Sequence, residues 1–201
     1  MITFGLTGGI ACGKSTATKT FQRFGIPMVD ADIVAREVVA PGTYGLKIII
    51  DTFGEQYLNA DGTMNRSAMG TFVFSNQEAL DKMNKIMAPL INETSELQIS
   101  RLHLQGHSIV GYDAALICEM GNANKYRPLI VVACPQQMQV ERMMKRNGLA
   151  PGQAMARMNS QMSTDDKVKL ADYVIDTSGT VEDSIHQTED IINKMKTGEI
   201  K

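Results

Sequence analysis

The strongest constraint on this chain is the segment Gly8-Gly9-Ile10-Ala11-Cys12-Gly13-Lys14-Ser15, which fits GxxxxGK[ST]. An apolar, β-rich run over residues 2–7 precedes it, and a helical pattern over residues 14–24 follows it. Glycines permit positive φ, so successive backbone N–H groups can curl around an anion. A helix starting near Gly13 aims the positive end of its dipole at the same anion. Lys14 can reach the outer phosphates of a nucleoside triphosphate, the Ser15 hydroxyl can ligate Mg2+, and Thr16 follows on the same first turn. Average residue frequencies give a chance match of about one in a hundred for a chain of this length. The strand before and the helix after are what separate the motif from a glycine-rich turn with a surface lysine. The expectation is ATP held by residues 8–16, with Mg2+ at Ser15.

The 201 residues suit one compact α/β core with an insertion or two. Hydrophobic content of 43% and charged content of 21% are those of a folded soluble protein, which sets disorder aside. A formal net charge of -2 gives no support for a general nucleic-acid or membrane-surface binder. Cys12, Cys118 and Cys134 are odd in number and form no CxxC pair, so we expect reduced thiols, no zinc site and a cytoplasmic protein. The N-terminus lacks a basic region and reads as a strand rather than a signal peptide, and no run approaches a membrane helix. A monomer or weak homo-oligomer is expected.

Five β-rich segments stand out, at residues 2–7, 27–31, 108–116, 129–134 and 173–176. Helical patterns follow the first and fourth, at 14–24 and 135–146, and a third, at 181–195, closes the chain. Alternation of this kind predicts a parallel sheet with right-handed crossovers. The fold expected is α/β, with a five-stranded parallel sheet between two helical layers. Residues 33–106 read as a helical insertion, with turn signals at Pro41-Gly42, Asp61-Gly62 and Pro89. Residues 138–167 form a second insertion, rich in Arg, Lys and Met and broken at Asn147-Gly148 and Pro151-Gly152. The core is then 1–32, 107–137 and 168–201, and the tail from 194 onward is expected to fray.

Two further features point to phosphoryl transfer. The second strand ends in Asp30-Ala31-Asp32, and ligands of parallel sheets collect at the carboxyl ends of strands. Period-two alternation puts both carboxylates on one side. One of them can accept a proton from an acceptor hydroxyl, and these residues can also cap the helix that begins near Ile33; both readings can hold with one Asp for each role, and Asp32 is the one favoured for catalysis. Asp113 ends an apolar run, a loose form of the acid that steers Mg2+ through water. Asp51-Thr52-Phe53-Gly54 and Asp176-Thr177-Ser178-Gly179 have no guanine-reading partner and read as ordinary turns. Arg142 and Arg146 are four apart on one helix face, with Arg157 beyond. Such a lid could close over a triphosphate and exclude water, or the face could be solvated and paired with Glu141 or Asp165. The methionines of this insertion read as adaptable packing.

Taken together the chain resembles the dephospho-CoA kinase family over nearly its whole length. The resemblance runs through Leu6-Thr7-Gly8-Gly9-Ile10, Val29-Asp30-Ala31-Asp32, Ala35-Arg36, Asn65-Arg66, Val73-Phe74 and Pro89-Leu90-Ile91. It continues through Arg142, Arg146, Arg157, Gln161, Lys167, Ala171-Asp172 and the final strand with Ser178-Gly179. It implies ATP-dependent, Mg2+-assisted phosphorylation of the ribose 3′-hydroxyl of dephospho-CoA. It also implies a nucleotide-kinase-like core, a helical acceptor domain and a lid. Asp32 would be the general base, and Lys14 and the lid arginines would stabilise the transferring group. Asp30, Arg36, Arg66, Pro89 and Asp113 would lie towards the acceptor. The family pattern has a Gly-Ser-like pair at Ala11-Cys12, a His at Ala88 and a proline at Ala115. A nucleotide-operated switch with little turnover is the competing reading. Cys12, at a helix N-terminus, would be either a reactive, low-pKa thiol protected by ATP or a small buried residue in a serine's place.

Overall fold

A computed structural model describes residues 1–200 of the protein. β-Branched and aromatic residues at the N-terminus place Ile2–Gly8 (β1) at the centre of a sheet. Four more strands join it: β2 (Met28–Asp30), β3 (Ile109–Asp113), β4 (Leu129–Ala133) and β5 (Tyr173–Asp176). The sheet is parallel and its order is β2-β3-β1-β4-β5. Phe4 pairs with Gly111 on one side of β1, and Gly5 pairs with Leu129 on the other. β3 stops at Asp113 rather than 116: Ala114 N makes the last ladder bond, to Leu6 O at 3.0 Å, and the chain turns from Ala115 onward.

The helices are α1 (Lys14–Arg23), α2 (Ala31–Glu37), α3 (Tyr44–Phe53), α4 (Arg66–Ser75) and α5 (Gln77–Leu104). After β4 come α6 (Gln136–Asn147), α7 (Pro151–Asn159) and α8 (Thr164–Leu170), and after β5 comes α9 (Val181–Thr197). The breaks foreseen inside the second insertion fall at Gly148, left-handed at φ 64°, and at Pro151, which opens α7.

Strand alternation sorts the core. Phe4, Leu6, Ile130, Val132 and Ile175 project to the face covered by α1 and α9, among Ala17, Phe21, Ile191, Ile192 and Met195. The Phe4 and Phe21 rings lie 4.6 Å apart and both are fully buried. Burial of each stabilises the fold by about 1.5–3 kcal/mol. Gly5 projects the other way, where a Cβ would sit 3.0 Å from Tyr126 O. Tyr126 stacks on Tyr112 there, with ring centroids 4.3 Å apart.

The chain divides into two compact units: residues 1–29 together with the chain from Arg101 onward, and Asp30–Ser100. The second unit is helical, with Val34, Val39, Leu46, Ile49, Met69 and Val73 buried in it. Phe72 lies against Tyr57 and Phe53, at 5.5 and 6.2 Å between centroids.

Two expectations are corrected. Pro89 does not mark a turn; it lies inside the 28-residue helix α5. An interior proline costs about 3 kcal/mol through the lost N–H donor and the ring's clash with the carbonyl four residues back, and the rest of the helix outweighs that cost. The tail does not fray at 194. α9 continues to Thr197, Gly198 ends it in the left-handed conformation at φ 80°, and the chain folds back so that Ile200 is buried in the core.

Candidate active site

The phosphate loop is the turn between β1 and α1. Cys12 N donates to Gly9 O at 3.1 Å, and Thr16 N donates to Gly13 O at 3.0 Å. Gly13 is left-handed at φ 82° and no side chain caps α1 behind it, so the N-terminus of a ten-residue helix is left open to an anion. Ala11 holds φ 60°, the one non-glycine residue with positive φ among the described residues. A Cβ on Gly9 would collide with Thr164 Oγ1 and crowd Gln139 Oε1 and Cys12 Sγ, so glycine keeps this cradle open. Gln139 is buried, and its Oε1 has no hydrogen-bond partner. The loop and its surroundings fit a phosphate chain. Ser15 stands exposed on the first turn of α1, the position from which its hydroxyl could hold Mg2+.

Lys14 forms an ion pair with Asp113, the last residue of β3. Asp113 is 4% exposed, and its other oxygen accepts from Thr18 Oγ1 at 2.6 Å. The sheet thus brings the loop lysine, which the motif selects, to the strand-end carboxylate, which the pattern alone marked only weakly.

Arg142 lies half-buried on α6. Its Nη2 donates to Thr177 O at 2.7 Å and its Nη1 to Thr177 Oγ1 at 3.2 Å and to Cys134 Sγ at 3.5 Å. Thr177 Oγ1 in turn donates to Cys12 O at 2.7 Å. Arg142 is therefore anchored to the loop through one threonine. Arg146, on the same helix, is exposed and donates to Asn147 Oδ1 at 3.0 Å; Arg157 is exposed on α7. The 176–179 segment is more than an ordinary turn, since its Thr177 joins α6 to the loop.

A cavity of about 320 Å3 opens beside the loop, lined among others by Gly9, Cys134, Gln139, Met158, Gln161 and Thr164. Gln139 Nε2 spans it, donating to Cys134 O at 3.1 Å and to Thr164 Oγ1 at 2.9 Å. Behind it Lys167, fully buried, donates to Ala115 O at 2.6 Å and pairs with Glu119 at 2.9 Å. Ala115 O also accepts from Thr7 Oγ1 at 3.1 Å, and Glu119 Oε1 accepts from Met162 N at 2.9 Å. The residues before the loop, the turn after β3 and the start of α8 meet at this node.

Of the two readings of Cys12, the structure fits the small buried residue and not the reactive thiol. Cys12 is 1% exposed, and its hydrogen bond with Cys134 together with burial pushes its thiol well above the ordinary value. The helix-dipole argument fails here because desolvation and a neighbouring sulfur outweigh it. Cys134 moves the other way, to about 7, chiefly through its hydrogen bond with Cys12 and against the effect of burial, with the Arg142 guanidinium adding to the fall.

In the helical unit, Asp30 caps α2: its Oδ1 accepts from Asp32 N at 2.8 Å and Ile33 N at 3.3 Å. Helix α2 therefore starts at Ala31, and the period-two argument placing both carboxylates on one side does not hold. Asp30 is occupied as a cap, and Asp32 stands exposed on the first turn. Arg66 Nη2 donates to the Arg36 backbone carbonyl at 3.3 Å, which ties the start of α4 to the end of α2. Pro89 is exposed on α5. Sequence reasoning missed Thr177, Gln139, Thr164, Cys134 and Thr18 as site residues; short polar side chains at strand and helix ends carry no spacing signal that marks them.

The family model for dephospho-CoA kinase matches residues 2–183. The chain belongs to the dephospho-CoA kinase family. It is 41% identical over 192 residues to a dephospho-CoA kinase of Listeria monocytogenes, covering 96% of each chain. Against the dephospho-CoA kinase structure from Campylobacter jejuni it has 26% identity and a TM-score of 0.76, covering 98% of each chain. A shikimate kinase from Bacteroides thetaiotaomicron shares the fold at 15% identity, with a TM-score of 0.53 and coverage of 96% and 98%. Membership of a kinase family gives the low-turnover switch no support. No helix among the described residues is long and apolar enough to cross a membrane.

Proposed function

We propose that this enzyme transfers the γ-phosphoryl group of ATP to the ribose 3′-hydroxyl of dephospho-CoA, giving coenzyme A and ADP. The observation that carries the reading is the uncapped N-terminus of α1 behind Gly13, with Lys14 on its first turn and Arg142 tied to the same loop through Thr177. Three sources of positive potential converge on one cradle, as a loose, anionic transition state requires.

The roles follow from chemistry. Backbone N–H groups of residues 8–16, apart from those of Cys12 and Thr16, which bond within the loop, hold the β- and γ-phosphates. Lys14 and Arg142 stabilise charge on the transferring group, and Arg146 supports them once the triphosphate is bound. Asp113 positions the Lys14 ammonium. Mg2+ held at Ser15 would neutralise phosphate charge. The acceptor oxygen bonds to the γ-phosphorus as the bond to the β-phosphate oxygen breaks. The hydroxyl proton passes to the Asp32 carboxylate, which is left for this task because Asp30 serves as the cap. Arg36 and Arg66, both exposed, would offer cations to the phosphates of the acceptor, and with Asp30 and Pro89 they support acceptor binding by the helical unit. Residues 138–167 act as the lid. Three free thiols support a reducing, cytoplasmic setting.

The test offers dephospho-CoA, AMP, CMP, pantothenate and adenosine in turn with ATP and Mg2+. Dephospho-CoA should be turned over preferentially, and preference for another acceptor would overturn the substrate assignment. Asp32→Asn should lower kcat by about 10²–10⁴; a near-normal kcat would remove Asp32 as the base.

A further inference from the structure

The sulfurs of Cys12 and Cys134 lie 3.6 Å apart, one in the phosphate loop and the other just past the end of β4. They are 122 positions apart in the chain, and both are free thiols. A disulfide needs the sulfurs at about 2.05 Å, so a gap of about 1.6 Å separates this pair from bonding distance. The two differ in character. Cys134 receives an N–H from Arg142 at 3.5 Å and lines the 320 Å3 cavity beside Gly9 and Thr164. Cys12 lies behind it, sealed from solvent.

We propose that Cys12 and Cys134 are a peroxide-sensitive pair whose disulfide closes the phosphate loop to nucleotide. Cys134 is the attacking sulfur, because it faces the cavity and has a guanidinium beside it. Both sulfurs are buried, at 1% and 6% exposure, so the oxidant has to be small; hydrogen peroxide fits the cavity. The Cys134 thiolate attacks one peroxide oxygen, the O–O bond breaks, and hydroxide leaves and takes a proton to become water. Cys134 is now a sulfenic acid. The Cys12 sulfur then attacks the Cys134 sulfur, the S–O bond breaks, and the departing hydroxide takes the Cys12 proton as a second water. Two thiols lose two electrons and one peroxide gains them. Thiolate character near neutral pH favours the first step, since a thiol titrating near ambient pH combines nucleophilicity with availability.

The consequence is local. Cys12 belongs to the loop whose backbone holds phosphate, and its carbonyl is the acceptor for Thr177 Oγ1. Drawing Cys12 onto Cys134 pulls on that bond and takes from Arg142 the sulfur that its Nη1 contacts. One covalent bond would disturb both the cradle and its arginine.

The experiment treats the reduced full-length protein with hydrogen peroxide and maps its peptides by mass under non-reducing conditions, which does not depend on kinase activity. A peptide joining Cys12 to Cys134 is expected, with binding of a fluorescent ATP analogue lost in proportion to the cross-linked fraction and restored by dithiothreitol. Prior MgATP should slow the cross-link. The Cys12→Ser variant should accumulate a dimedone-trappable sulfenic acid at Cys134, and Cys118→Ser should still form the cross-link. A cross-link through Cys118, no cross-link between Cys12 and Cys134, or cross-linked protein that binds nucleotide as well as the reduced form would each overturn the proposal.

Discussion

Lys167 and Glu119 form an unequal pair, and the inequality makes a measurable prediction. The Lys167 side chain is fully buried, whereas Glu119 is 21% exposed. Removing the negative partner by Glu119→Gln leaves a wholly buried cation without its counter-charge, which costs about 3–5 kcal/mol. Removing the positive partner by Lys167→Met keeps the packed stem and discards the charge that was costly to bury. Ala115 O then still accepts from Thr7 Oγ1, and Glu119 still accepts from Met162 N and meets solvent. Only hydrogen bonds to charged groups are lost, at about 1–3 kcal/mol. Glu119→Gln should therefore be the more damaging change. At roughly 3 °C per kcal/mol for a chain of this size, Tm should fall by about 12 °C in Glu119→Gln and about 6 °C in Lys167→Met. The double variant should be more stable than Glu119→Gln alone, because it no longer buries an unpaired ammonium. Urea unfolding followed by circular dichroism, with thermal scans beside it, measures all three. If Lys167→Met proves the more destabilising single change, or the double variant the least stable, the reasoning from unequal burial is refuted.

Other predictions follow from single positions. Gly9→Ala puts a methyl against Thr164 Oγ1 and Gln139 Oε1; at about 1–3 kcal/mol of overpacking, KM for ATP should rise roughly 5- to 150-fold while KM for dephospho-CoA changes little, as steady-state kinetics would reveal. Ala11→Gly relieves a φ of 60°, so it should leave stability unchanged or raise it by up to about 1 kcal/mol in urea unfolding, whereas glycine normally costs stability. The thiolate is the form that reacts, so iodoacetamide labelling of Cys134, whose thiol pKa is lowered, should set in at lower pH than that of Cys118, which burial pushes up; the reverse order on mass spectrometry would contradict the lowering.

Much of the architecture was legible beforehand because its determinants are local. Short apolar, β-rich runs marked all five strands, and Gly148 and Pro151 marked the break between α6 and α7. Where local signals conflicted with longer-range packing, packing won. Pro89 sits within a continuous helix, and Ile200 is drawn into the core beyond the glycine that ends α9. Asp30 and Asp32 show a different failure. The residue types allowed either a base or a cap, but a period-two strand was assumed where the cap itself starts a helix.

The phosphate loop is what the sequence by itself determined most firmly, since its glycines, Lys14 and Ser15 act within one turn of chain. The same holds for Asp32 and Arg142 as candidates and for the family they belong to. Only the tertiary structure set Cys134 against Cys12, Thr177 between Arg142 and the loop, and Lys167 beneath the turn after β3. These contacts join residues as far as 165 positions apart, at the carboxyl ends of strands that neighbour in space but not in sequence. No periodicity encodes such a meeting. It follows from strand order, and the partner's burial and charge then decide what each side chain can do, which is why Cys12, open to two readings in the sequence, is the sealed thiol and Cys134 carries the lowered pKa.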